Sequence, residues 1–267
     1  MVVDLANSLI ARQANDETPV LHLFGGPFVT FGRRRVSIPQ GSKRLLVFVA
    51  LHRDQVERGY AAGTLWPAGT EYRAAGNLRS ALWRLSRADL PLLRADKCYL
   101  ALQQEVLVDA RLVGEWASRM ITGRPSEADL AALPTGADAL DLLPGWYEDW
   151  ALLERECLRQ RMLHALEALS RELVEAGRCA EAVEAAMMAV GADPLRESAQ
   201  RALIKAHLAE GNWSEGHRQL SIYRKTLQRE LGLKPDRELA AMLELPELGS
   251  SGGARRVAAI GNAGRER

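Results

Sequence analysis

YRAAGNLRSALWRLSR, residues 72–87, has the periodicity of a helix with two unlike faces. At the helical advance of about 100° per residue, Arg73, Asn77, Ser80, Arg84 and Arg87 fall on one stripe. Ala75, Leu78, Leu82 and Leu85 fall opposite, with Arg79 and Trp83 on a flank. The segment holds no acid, whereas an ordinary surface helix interleaves Glu or Asp for internal ion pairs. An apolar anchor opposite Arg, Asn and Ser is what a major-groove helix needs. Arg pairs bidentately with guanine and Asn with adenine, while Ser and flanking Arg residues meet phosphates. The competing reading is a basic face that only meets solvent.

Outward from this helix the charge pattern continues. Between Arg33 and Arg87 there are eleven Lys/Arg against Asp54, Glu57 and Glu71, a local excess of +8 within a chain whose net charge is +1. Such a concentration is the electrostatic footprint of a nucleic-acid face, or of a solvated basic surface. Upstream, VLHLFGGPFVTF (20–31) reads as strand, turn and strand, and RRRVSI (33–38) as a further short strand. Helices are expected from Ser42 to His52, from Glu57 to Leu65, where Trp66-Pro67 stops the second, and from Tyr72 to Ala88. Segments 92–94, 99–102 and 106–109 read as a β-hairpin wing with its turn at Ala95-Asp96-Lys97. Strands, three helices and a hairpin make a winged helix-turn-helix. Arg94 and Lys97 beside the wing turn suit a neighbouring backbone or minor groove. Lys43 and Arg44, at a helix N-terminus, suit a phosphate, or serve solubility alone. Trp66 and Trp83 read as packing residues.

Beyond residue 110 the chain reads as helical: 110–122, 126–132, 148–176, 178–191, 194–210, 212–231 and 236–244. EAGRCAEA (175–182) resembles AEGNWSEG (209–216), and Gly177 and Gly211 lie 34 residues apart. That is the period of tetratricopeptide helix pairs. Trp146, Tyr147 and Trp150 gather at the start of the long helix, where they lock it to a neighbour or hold a ligand. Arg155, Arg159 and Arg161 read as surface pairs with Glu154 and Glu156. The fold class expected is mainly α. A loose arm (1–18) precedes a winged helix-turn-helix domain (19–109), an all-α tetratricopeptide-like domain (110–247) and a disordered tail (248–267).

The composition, 47% hydrophobic and 26% charged, is that of a globular protein. Cys98, Cys157 and Cys179 form no CxxC, and the five histidines form no HxxxH or HExxH, so neither disulfides nor a metal site is expected. No apolar run is long enough for a transmembrane helix, and the N-terminus lacks a signal-peptide pattern. These features point to a reducing cytoplasm. No nucleophile elbow or phosphate loop is present, which argues against an enzyme and a cofactor.

LHLFGGPFVTFGRRRVSIP (21–39), TLWP (64–67) and AAGNLRSALWRL (74–85) resemble the winged helix of the Streptomyces antibiotic regulatory protein family. LLPGWYEDWALLERECLRQRMLHALEAL (142–169) and the segment 192–239 resemble its bacterial transcriptional activator domain. The resemblance covers about residues 20–245. It implies binding to promoter direct repeats, recruitment of RNA polymerase and its sigma factor, and activation of secondary-metabolite genes, with Arg73, Asn77, Arg79, Ser80, Arg84 and Arg87 as contacts. Two protomers head to tail suit direct repeats. Without a GxxxxGK[ST] motif, a short form lacking nucleotide control is expected. Val56-Glu57-Arg58-Gly59-Tyr60 departs from the family's Ser- or Asp-capped helix start. The alternative reading is a protein-interaction adaptor that holds a peptide on its repeats without binding DNA.

Overall fold

The computed structural model describes residues 2–52, 54–132 and 142–243. It opens with a helix, α1 (Val2–Ala11), where the sequence reading expects a loose arm. Leu5, Ala6 and Leu9 form a buried stripe on it. They pack on a helix far along the chain, α5 (Asp109–Ile121). The arm reading fails because that partner is non-local: the apolar spacing is present, but nothing nearby in the sequence shows what covers it.

Strands β1 (Pro19–His22), β2 (Phe28–Phe31) and β3 (Arg34–Val36) run antiparallel in sequence. The strand expected to extend the wing, β7 (Leu107–Val108), instead lies parallel to β1 and completes a sheet of order β3-β2-β1-β7. Buried Leu21 and Val108 sit opposite each other there, and this shared burial holds β7 away from the wing.

Next come α2 (Gln40–Leu51), β4 (Val56–Glu57), α3 (Arg58–Leu65) and α4 (Glu71–Arg87). The wing follows as β5 (Leu93–Ala95) and β6 (Tyr99–Leu102), and β4 pairs on its other side to give the order β4-β6-β5. The departure at 56–60 thereby acquires a physical reason. The first turn of α3 has no capping side chain; Arg58 N–H donates instead to the Cys98 carbonyl of the wing at 2.8 Å. A strand replaces the cap. Residues 45–50 of α2 are all buried because this helix is covered on two sides. Leu46, Val47 and Ala50 face the core under the first sheet, while Leu45, Phe48 and Val49 face α3, α4 and the wing.

The remainder is helical: α6 (Glu127–Leu130), α7 (Asp149–Glu175), α8 (Cys179–Ala192), α9 (Glu197–Ala209), α10 (Trp213–Leu231) and α11 (Arg237–Ala241). Helices α7 to α10 pack consecutively. Gly177 and Gly211 take left-handed φ values of 73° and 85° just after α7 and α9. The spacing noticed in the sequence therefore marks two helix ends that a residue with a Cβ would strain. Pro134, Gly136 and the tail expected over 248–267 lie outside the described residues.

Arg155 departs from its reading as a surface pair. Its Nε donates to the Leu142 carbonyl at 2.7 Å, and its terminal nitrogen donates to those of Leu143 and Trp146 at 2.6 and 3.1 Å. It fastens a segment that also bridges back to β1: Leu143 N–H donates to the Leu23 carbonyl, and Phe24 pairs with Leu142.

Candidate nucleic-acid interface

Helix α4 is built for one-sided burial. Thr70 caps it by accepting from Arg73 N–H. Its buried face is Ala74, Leu78, Ala81 and Leu85, one step round from the expected Ala75–Leu78–Leu82–Leu85 stripe; Ala75 and Leu82 are half-buried flanks. The shift has a steric cause. Fully buried Ser42 of α2 donates its hydroxyl to the Ala81 carbonyl at 2.8 Å. Two helices approach that closely only where the facing side chain is small.

The structure leaves Arg73, Asn77, Arg79, Ser80, Arg84 and Arg87 exposed together on the outer side of α4. Two aromatic residues join them. Tyr72 at the start of the helix is 81% exposed, and Trp83, read from sequence as packed, is 63% exposed. The Arg87 guanidinium lies 5.5 Å from the Trp83 ring centre. Arg84 lies across the first turn of α2: a Cβ at Gly41 would come within 2.6 Å of its terminal nitrogen. The missing side chain at Gly41 therefore makes the groove in which Arg84 rests.

Arg94 and Lys97 of the wing are exposed. Between them Asp96 accepts from the N–H groups of Cys98 and Tyr99, both at 2.7 Å. These donors, Tyr99 first, hold its carboxyl below the usual carboxylate range. Arg58 donates to the Asp96 carbonyl at 3.0 Å and braces the turn from α3. The sequence reading missed Arg58 because the contact spans a gap that no local pattern reveals.

Lys43 and Arg44 are half-buried near the start of α2. Arg44 is not free: its Nε lies 3.0 Å from the Glu148 carboxylate, at the start of α7. Arg34 and Arg35, which swell the local charge, lie over Phe31 and Phe28 at 5.6 and 3.8 Å from the ring centres, on the first sheet and not beside α4. Among the described residues no cluster of three or more His, Cys, Asp or Glu is placed to hold a metal ion, and no helix is long and apolar enough to cross a membrane.

Residues 126–244 match the bacterial transcriptional activator domain family, behind the winged helix just described. The fold of the chain is similar to that of Mycobacterium tuberculosis EmbR in complex with a low affinity phosphopeptide, with a TM-score of 0.61 at 16% identity. The similarity covers 85% of this chain and 64% of that one, so this chain spans less than two thirds of the EmbR chain. At that identity the likeness is one of fold. No curated protein sequence matches the chain significantly.

Proposed function

We propose that the protein is a sequence-specific, DNA-binding transcriptional activator. In this reading residues 19–109 bind promoter direct repeats, and residues 110–247 recruit RNA polymerase and its sigma factor. The targets are secondary-metabolite genes, the compartment is the cytoplasm, and two protomers sit head to tail on the repeats. In this reading the protein acts by binding and not as an enzyme. The observation that carries the reading is the outer face of α4, where Arg73, Asn77, Arg79, Ser80, Arg84 and Arg87 are exposed together. From Tyr72 to Arg87 that helix has no acid to neutralise them. In this reading Asn77 and Arg73, toward the N-terminal half, meet base edges, and Arg84, Arg87, Lys43, Arg94 and Lys97 meet phosphates.

The test is a gel shift on promoter fragments isolated with the protein from its host. Arg84→Ala and Arg87→Ala are each expected to weaken binding roughly tenfold, within the range of about 1–3 kcal/mol for a lost arginine contact. Affinity is expected to fall steeply with salt as counterions are released. Undiminished binding by both variants, together with stable co-purification of a protein partner, would replace this reading with the adaptor.

A further inference from the structure

The Arg44–Glu148 contact joins the two halves of the chain at the helix that packs on α4. Arg44 lies in the N-terminal part of α2, the same part in which Gly41 receives Arg84 and Ser42 binds Ala81 of α4. Glu148 immediately precedes α7, but its side chain makes no capping hydrogen bond to the helix; its carboxylate is directed to Arg44. One turn along α2, Phe48 meets Trp150 edge-on, with ring centres 5.3 Å apart. Two rungs, one ionic and one aromatic, thus attach the start of α7 to α2, the first of the three helices of the winged domain.

The two rungs differ in strength. Phe48 is fully buried, so the aromatic contact persists as long as the fold does. The two side chains are only partly covered, 41% and 30% exposed, and although the contacting Arg44 Nε is itself buried it makes no aligned hydrogen bond despite the short distance. A pair so exposed contributes little to stability and exchanges readily. A polyanion is a strong competitor for the same cation, because each neutralised phosphate also releases counterions.

We propose that Glu148 is an intramolecular stand-in for the DNA backbone: it holds Arg44 in the free protein and yields it to a phosphate on binding. Opening the ionic rung leaves Phe48 and Trp150 as a pivot, so the start of α7 registers whether the winged helix carries DNA. The inference rests on the DNA-binding reading above.

The experiment is fluorescence anisotropy of the full chain with a fluorescein-labelled duplex of mixed sequence, over a series of KCl concentrations. Glu148→Gln is expected to bind a few-fold tighter than wild type. Asp149→Asn, which removes an equal charge without touching Arg44, is expected to gain less. Arg44→Gln is expected to bind more weakly, with a salt slope shallower by about one, and in that background Glu148→Gln is expected to add nothing. Melting curves confirm that each variant is folded; a misfolded Arg44→Gln is replaced by Arg44→Lys, in which the effect of Glu148→Gln persists. If Glu148→Gln weakens or leaves unchanged the binding, or helps equally without Arg44, Glu148 is only a strut and this inference falls alone. If the wild-type chain fails to bind the duplex, the DNA-binding reading falls with it.

Discussion

Asp109 shows how one side chain can set the response of the whole fold. It is fully buried and is the first residue of α5, yet it accepts hydrogen bonds from Leu23 N–H at 2.9 Å, Phe24 N–H at 3.1 Å and Ala110 N–H at 2.6 Å. Burial is the larger influence and raises its carboxyl from 3.8 to about 7, with the three donors opposing. The folded state therefore holds this proton more tightly than the unfolded state does. Its contribution to stability is fully present below about 3.8 and is lost as pH rises to about 7. Asp129 acts in the opposite sense. The Arg119 guanidinium, at 2.8 and 3.0 Å, draws its carboxyl down to about 2, so that contribution is lost only as the pH falls below the ordinary carboxylate range. Thermal denaturation from pH 4 to 8 is expected to show a Tm decline that Asp109→Asn flattens. An equal slope in wild type and variant would show that the buried carboxyl does not titrate in this window.

At the scale of elements, the least expected part is α1. Its buried Leu5 and Leu9 sit among Trp116, Ala117 and Met120 in one apolar cluster. The helix therefore belongs to the core. Leu5→Ala is expected to cost about 2–4 kcal/mol, the usual range for truncating a buried leucine, measured by urea denaturation; a loose arm would give no change. Helix α2 is the other decisive element. Arg111 of α5 donates to the Ala50 carbonyl at 2.8 Å and also to that of His52, satisfying the C-terminal carbonyls of α2. One end of α2 is thus tied to α5 and the other to α4 and Glu148.

For the whole molecule, the apolar cluster that begins at Leu5 runs through the first sheet, α2 and α5 into α7 and α8, and reaches Ala206 of α9. A second cluster, Ile204, Leu220, Tyr223, Leu227, Leu239 and Leu243, closes the far end separately. Because the main cluster crosses from the winged half into the repeats, these parts are expected to unfold together, while α10 and α11 open at lower cost. Hydrogen–deuterium exchange followed by mass spectrometry tests this. Peptides of α2, α5 and α7 should share one protection level, above that of α10 and α11. Separate levels for α2 and α7 would show two independent units.

Much of this was legible beforehand. The outward cations of α4, the wing turn and helices α7 to α10 follow from spacings of a few residues, and helical periodicity, proline and glycine encode these locally. The sequence by its own periodicity thus marked the helices from α2 onward, though not α1, and showed that residues 72–87 carry no acid among their cations. Tertiary structure decided the rest: that Ala74 and Ala81 lie inward in place of Ala75 and Leu82, that β7 joins β1, that α1 docks on α5, and that Arg44 is held by Glu148. Each of these depends on a partner distant in the chain. The chain's own periodicity shows that a face must be covered or a charge met, but only three-dimensional packing selects the group that does so.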